Sequence, residues 1–282
     1  MDNNNSLSGI PSGFPSLDAL TGGWQNSNLI IIASRPSVGK TAFAQNVVRN
    51  AAVDYNIPVA FFSLEMSSLQ FATRIIRSEA KFNKLFFEGG RTLTEQEYAQ
   101  LESRLAGLSG APLYIDDTPG LKLSDFHEKA KKYVNEYDVR LIVIDYLQLM
   151  CGPDELRGQR EEEVSFIARG LKTIAKELKV PIIATCQLSR SLTRFCSARP
   201  ELSQLRESGA IEEVADSVIL IHRPDIISII ENPADKELCL IIVAKNRNGG
   251  LGDVSTLFHS ENLSFTETDE AIVIKEPKHA HT

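Results

Sequence analysis

Residues 34 to 41 read Ser-Arg-Pro-Ser-Val-Gly-Lys-Thr, and these types at this spacing suit the holding of a chain of phosphates. A glycine lets backbone N–H groups approach an anion, a lysine adds a mobile cation, and a threonine hydroxyl can join the shell of a divalent metal. The same chemistry needs a strand before the loop and a helix N-terminus after it. Leu29-Ile30-Ile31-Ile32-Ala33 is an apolar run of strand length. Ala42, Phe43, Ala44, Val47, Val48, Ala51 and Ala52 then repeat at helical spacing. An ordinary turn, in which the glycine merely permits an unusual backbone angle, does not account for both flanks. Ser34 stands where the pattern G-x-x-x-x-G-K-[ST] has its first glycine, and it is small enough to keep the turn. Pro36 has no N–H to offer, so phosphate contacts are expected from Val38 to Thr41. Ser34, Arg35, Pro36, Ser37 and Ala42 complete the expected wall of the site.

Hydrolysis of a nucleoside triphosphate needs a carboxylate near the metal, a group to orient water, and cations for the charge on the γ-phosphate. Each is available near the end of an apolar run, where ligands bind in open α/β sheets. Asp145 closes Leu-Ile-Val-Ile-Asp and suits the metal side, in preference to capping a loop. Glu65 follows Phe61-Phe62-Ser63-Leu64 and can polarise the attacking water, the plainer reading being a surface carboxylate that opens the next helix. Gln187 follows Ile182 to Thr185, and an amide there either reports the γ-phosphate or is simply a polar strand end. Arg206-Glu207-Ser208-Gly209 lies in a polar segment preceded by Arg190, Arg194 and Arg199. Such a segment is either solvated surface or, with arginine and glycine N–H groups, a holder of nucleic-acid phosphates. Lys245-Asn246-Arg247 is a charged strand end or a finger pair reaching a neighbour's nucleotide.

The elements that must position these groups alternate. Strand patterns at Val59–Ser63, Leu113–Ile115, Leu141–Asp145, Ile182–Thr185 and Val218–Ile221 are separated by helical ones, as in a parallel sheet with crossover helices. One helix follows Ser68. Thr94-Glu95-Gln96-Glu97 is a capping box opening a second, which runs toward Leu108. Ser124 is the expected cap of a third, containing His127 to Val134. Glu161-Glu162-Glu163 open the clearest, with Val164, Ile167, Ala168, Leu171, Ile174, Ala175 and Leu178 on one face and Lys172, Lys176 and Lys179 toward its end. After residue 221 the pattern turns to strands alone, at 238–244, 254–258, 263–265 and 272–274. Asn248-Gly249-Gly250-Leu251-Gly252 suggests a hairpin at an antiparallel edge.

With 282 residues, 43% hydrophobic and 24% charged, the chain fits one ordinary domain with a full core. A net charge of −7 argues against a uniformly basic nucleic-acid binder, while leaving room for positive charge concentrated in a few loops. The polar start has no apolar signal region, and no apolar run is long enough to span a bilayer. Cys151, Cys186, Cys196 and Cys239 lack metal-ligand spacing and read as inert thiols of a reducing cytoplasm. No internal repeat is visible.

Several segments together resemble the bacterial DnaB-type replicative helicases, specifically their RecA-like motor domain. They are Ser8 to Phe14 with Leu17-Asp18 and Leu20-Thr21-Gly22-Gly23-Trp24, then Arg35 to Thr41, Ser63-Leu64-Glu65-Met66-Ser67 and Asp145-Tyr146-Leu147-Gln148-Leu149. Leu205-Arg206-Glu207-Ser208-Gly209-Ala210-Ile211-Glu212, the most specific string, and Lys245-Asn246-Arg247-Asn248-Gly249 complete the set, which covers residues 8 to 266. The resemblance implies an α/β RecA-like P-loop NTPase core, with a mostly parallel twisted sheet flanked by helices and antiparallel strands at its C-terminal edge. It implies a hexameric ring that hydrolyses ATP with Mg²⁺ and moves 5′→3′ along single-stranded DNA during replication.

On that resemblance, Lys40 and Thr41 hold phosphates and Mg²⁺, and Asp145 assists the metal through water. Glu65 activates water, while Gln187 links the γ-phosphate to DNA. Arg206, Glu207 and Gly209 meet the DNA backbone, Lys245 and Arg247 act on the adjacent subunit's ATP, and Arg74 belongs to the nucleotide pocket. A helicase loader and a primase are the partners implied for the family, in the cytoplasm and without a membrane. Ser34 replaces alanine or glycine, Cys186 a serine, Asn246 a histidine and Gly250 a proline, and none of these removes a chemical group named above. Residues 1–7 read as a disordered lead-in, 8–275 as the motor domain and 276–282 as a disordered tail. The family's N-terminal helical domain and linker helix have no counterpart in this sequence, which therefore reads as a piece of a longer protein. The competing readings are a RecA-type recombination or repair ATPase, and a truncated nucleotide-switched binding module that hydrolyses ATP without unwinding. A small-molecule kinase has only the loop in its favour.

Overall fold

The computed structural model describes residues 7–80, 94–188, 199–224, 237–268 and 273–274, with only the backbone described at 206–210 and 273–274. Arg190, Arg194, Cys196 and the strand position at Ile272 lie outside the described residues. The centre of the sheet is β1 (Leu29–Ser34), buried at all six positions. A strand of this kind has no solvent face, so its sequence is a continuous apolar run rather than an alternation. It pairs in parallel with β5 (Ile182–Gln187) on one side and β6 (Ser217–His222) on the other. β4 (Leu141–Asp145), β2 (Val59–Ser63) and the edge strand β3 (Leu113–Asp116) continue the parallel half. On the other side β7 (Leu238–Asn246) reverses direction against β6, and β8 (Gly252–His259) reverses against β7. β9 (Ser264–Glu267) and β10 (Val273–Ile274) both pair with β8. Among the described residues the order is therefore β10-β8-β7-β6-β1-β5-β4-β2-β3, the mixed sheet expected from the sequence.

Successive residues of a strand face opposite sides, and β1 sorts accordingly. Ile30 and Ile32 join one core with Phe43 and Val47 of α2 (Lys40–Arg49). Leu29, Ile31 and Ala33 join a second core with Ile167 and Leu171 of α6 (Arg160–Leu178). Short α1 (Pro15–Thr21) and α3 (Ser68–Ala80) belong to the first core through Leu17 and Phe71, and Phe71 stacks on Phe61 of β2 at 4.1 Å. α5 (Leu123–Tyr137) adds Phe126 to the second. In α6 the acidic first turn and the buried face Val164, Ile167, Ala168, Leu171, Ile174 and Ala175 match the sequence reading.

Two helix ends differ from the sequence reading. α4 (Glu95–Leu105) has the expected Thr94–Glu97 capping box but stops three residues before Leu108, and it buries none of its residues. Ser124 does not cap α5. The cap position is Lys122, and the Ser124 hydroxyl bonds to Asp125 within the first turn. Several strands extend one or two residues beyond their apolar runs, because ladder pairing continues after burial on both faces ends. β5 reaches Gln187 and β7 reaches Asn246 in this way.

Candidate nucleotide site

The end of β1 is fixed before the loop begins. Ser34 is buried, its carbonyl accepts the N–H of Leu188 at 2.9 Å, and its hydroxyl donates to the carbonyl of Arg35 at 2.8 Å. The serine that breaks the phosphate-loop pattern thus stitches the turn from within. The chain then reverses through two left-handed residues, Ser37 at φ 64° and Gly39 at φ 112°. Gly39 is the residue before α2, and no side chain caps that helix end. The first-turn N–H groups of a helix have no partner within it, so this end presents donors, and the positive end of the helix dipole, to an anion. Val38 turns its side chain into the core, leaving its backbone for the loop.

The charged groups behind the loop converge on Asp145. Its carboxylate is fully buried at the end of β4. Oδ2 accepts the Thr41 hydroxyl at 2.8 Å, Oδ1 accepts the Thr185 hydroxyl, and Lys40 Nζ lies 3.8 Å from Oδ1. Register explains the Thr185 contact. Ile144 of β4 stands opposite Ala184 of β5, so the next residues on each strand are neighbours. Lys40 also sits over the Tyr146 ring, 4.4 Å from its centroid. Burial lowers the Lys40 pKa below that of an ordinary lysine, opposed by Asp145, Cys186 and Glu65. Burial pushes the Cys186 thiol up to about 11, so it stays protonated, and the sequence reading of an inert thiol holds for it.

Ser34, Arg35, Pro36, Ser37, Gly39, Lys40, Thr41 and Ala42 line a cavity of about 520 Å³. Glu65 from the end of β2, Arg74 from α3 and Gln187 from the end of β5 reach the same space. The main chain of Gln187 is clasped by the Gln148 side chain, whose amide donates to its carbonyl at 3.1 Å and accepts its N–H at 3.3 Å. Loop N–H groups, a buried ammonium and hard oxygen atoms side by side are a donor set that would fit a metal–triphosphate.

Lys245 and Arg247 lie elsewhere. Because β7 runs against β6, its last residues reach the edge of the sheet where the parallel strands begin. Arg247 N bonds to the carbonyl of Asp216, and Asp216 N to that of Leu29. Arg247 is therefore level with the first residue of β1, while the phosphate loop follows the last. Five steps of strand make this about 17 Å, beyond the reach of one side chain. Arg206, Glu207 and Gly209 fall on the backbone of a 3-10 turn (Leu202–Ser208) and of the following short helix α7 (Gly209–Val214).

The sequence reading missed four contributors. Thr185 and Gln148 act through partners about 40 residues away, which spacing does not reveal. Tyr146 and Phe258 line the cavity as aromatic residues at strand ends. The only sequence signal for Thr185 is a hydroxyl inside an otherwise apolar central strand, where burial demands an acceptor.

Residues 9–267 match the model of the DnaB-like helicase C-terminal domain. The chain belongs to that family. It is 43% identical over 263 residues to the replicative DNA helicase DnaB of Geobacillus stearothermophilus, and 42% identical over the same length to the replicative DNA helicase DnaC of Bacillus subtilis. Each alignment covers 93% of this chain and 57% of the relative, so the DnaB-like domain spans a little over half the length of these curated relatives. Among solved structures, a DnaB-like replicative helicase described with its primase interactions superposes with a TM-score of 0.87 at 33% identity, over 95% of this chain and 64% of its own. A second solved chain, described as an ATPase domain, superposes with the same score and identity, covering 95% of this chain and 94% of that one. The RecA-like fold read from the sequence is therefore the fold of this DnaB-like domain.

Proposed function

We propose that this chain is the ATP-hydrolysing motor of a replicative DNA helicase, moving 5′→3′ on single-stranded DNA as part of a cytoplasmic homo-hexamer. The observation that carries this is the convergence of Lys40 and Thr41, from the cavity wall, on the buried Asp145 behind it, with Glu65 lining the same cavity. In this reading the loop N–H groups and Lys40 hold the β- and γ-phosphates of ATP. The Thr41 hydroxyl takes a place in the Mg²⁺ shell, and Asp145 holds that hydroxyl directly and the metal through water. Bound Mg²⁺ supplies neutralisation of charge on the phosphate oxygens. Glu65 orients the attacking water and accepts its proton. Arg74 closes the nucleotide pocket, and Gln187 senses the γ-phosphate at the base of the segment that leads to Arg206, Glu207 and Gly209. Those three hold the DNA backbone, with little base preference, because phosphate contacts carry no direct sequence information. Lys245 and Arg247 complete the site of the next subunit. Loader and primase contacts belong to the whole protein of which this motor is a part.

The test is Arg247→Ala. Binding of an ATP analogue should be unchanged, while DNA-stimulated hydrolysis falls by about 10³ to 10⁵, as for other arginine fingers. Strand displacement on a forked duplex should fall with it. Unchanged hydrolysis in the variant refutes the finger assignment, and hydrolysis without any displacement by the parent protein refutes the helicase reading.

A further inference from the structure

Asp216 lies between α7 and β6, buried, and it is the point on which Arg247 is built. Its two carboxylate oxygens have different tasks. Oδ2 is tied into the fold, accepting the N–H of Leu29 at 2.8 Å and the Lys172 ammonium at 2.6 Å. Lys172 in turn donates to the carbonyl of Ser27 at 2.9 Å. Oδ1 accepts Arg247 Nη1 at 3.3 Å, and the main-chain carbonyl of Asp216 accepts the N–H of Arg247 at 2.9 Å. The same arginine is thus held at both its backbone and its side chain by one residue. Its other terminal nitrogen, Nη2, donates to the carbonyl of Glu213 at 2.7 Å at the end of α7. The Lys245 ammonium also donates to the carbonyls of Glu212 and Glu213.

We propose that Asp216 is the positioning residue of Arg247, holding one edge of its guanidinium so that Nη2 is free to exchange a main-chain carbonyl for a neighbour's phosphate. This rests on the reading of Arg247 as a finger acting in trans. The physical basis is asymmetry. A neutral carbonyl is a weak acceptor that a phosphate displaces, whereas a buried carboxylate already anchored by Lys172 and the start of β1 is a strong, stationary one. The arginine side chain is long and loses much rotamer freedom when fixed. An anchor that fixes it before the phosphate arrives removes that loss from the catalytic step. The Arg247 side chain is 47% exposed against 7% for Asp216, so the anchor is inside and the working edge faces outward. Asp216→Asn breaks the arrangement selectively. Leu29 N–H and Lys172 are both donors, so the amide oxygen of asparagine must face them. Its NH₂ then meets Arg247, donor against donor.

The test uses mixed assemblies on single-stranded DNA. Subunits with Lys40→Ala offer a finger without a working loop, and subunits with Arg247→Ala offer the reverse. A junction between them contains one whole site, so mixing should restore ATP turnover. Asp216→Asn added to the Lys40→Ala subunit should reduce the restored turnover about 10²-fold, the cost of a displaced catalytic group. Added to the Arg247→Ala subunit, it should leave the restored turnover in place, which also shows that the substituted chain folds and assembles. Equal loss from both placements overturns the proposal, because a packing defect does not distinguish donor from acceptor. No loss from either placement overturns it as well. If the parent mixture restores nothing, the trans reading fails and Asp216 has no finger to position. Melting temperatures of the substituted chains are measured alongside.

Discussion

Gly39→Ala isolates the backbone angle of the phosphate loop from everything around it. The residue lies at φ 112°, where an L side chain costs about 1–3 kcal/mol. The added methyl group meets no obstacle. It would lie 3.5 Å from Phe265 Cζ and 3.7 Å from Phe258 Cζ, ordinary van der Waals distances. Alanine also restricts the unfolded chain, which returns about 0.4–1 kcal/mol. The net loss of stability is then about 1–2 kcal/mol, or about 2–8 °C in melting temperature for a domain of this size. Gly110→Ala is the matched control, since Gly110 has φ 88° and nothing within 4 Å of a new Cβ. The two variants should melt alike.

They should part in nucleotide binding. A loop that relaxes away from the strained angle must be driven back by the ligand, and 1–3 kcal/mol corresponds to about 5- to 150-fold weaker binding. Titration with a fluorescent ATP analogue and Mg²⁺ measures this for both variants against the parent. Parent-like affinity in Gly39→Ala would show that the angle does not build the cradle. Equal weakening in Gly110→Ala would show that the effect is global.

Two further predictions concern buried polar groups. Thr185→Val removes the hydroxyl that supports Asp145, and a hydrogen bond to a charged group is worth about 1.5–3 kcal/mol. Urea unfolding at neutral pH should show that loss, and an unchanged midpoint would mean that Asp145 is satisfied without it. Asp18 is buried in the turn of residues 12–18, and burial raises its pKa from the usual 3.8 to about 6 although Ser12 donates to it. A carboxyl with a raised folded pKa contributes most below its unfolded value, and that contribution is lost as pH rises through the folded one. The stability of the parent minus that of Asp18→Asn should therefore fall by about 2 kcal/mol between pH 4 and pH 6, out of about 3 kcal/mol over the whole titration. A difference that stays flat across this window contradicts the burial argument.

Much of this was legible in the chain because its signals are local. The apolar run at 29–33, the phosphate loop and the helical face from Val164 to Ala175 each announce themselves within a few residues. So do the strand-end positions of Asp145, Glu65 and Gln187, of which the fold brings Glu65 and Gln187 to one cavity and seats Asp145 behind its wall, against Thr41 and Lys40. What spacing hides is pairing across distance. Thr185 meets Asp145 through strand register, Gln148 clasps Gln187, and Asp216 gathers Leu29, Lys172 and Arg247 from three elements. Helix ends were the other gap. Ser124 has the chemistry of a cap, but the chain entered α5 two residues earlier. The turn at 106–110 ended α4 before its apolar spacing did.

The reversal of β7 has a consequence for symmetry. It carries Lys245 and Arg247 to the end of the sheet opposite the phosphate loop, so on the trans reading one subunit bears the two halves of a site at opposite ends of its strands. On the trans reading, a two-fold dimer would set like against like and complete neither half. Every productive contact must instead be heterologous, tail to head, and such a chain of contacts ends only by closing into a ring or continues as a helical filament. On that reading, the direction of a single strand excludes the commonest symmetry of soluble oligomers as a working state.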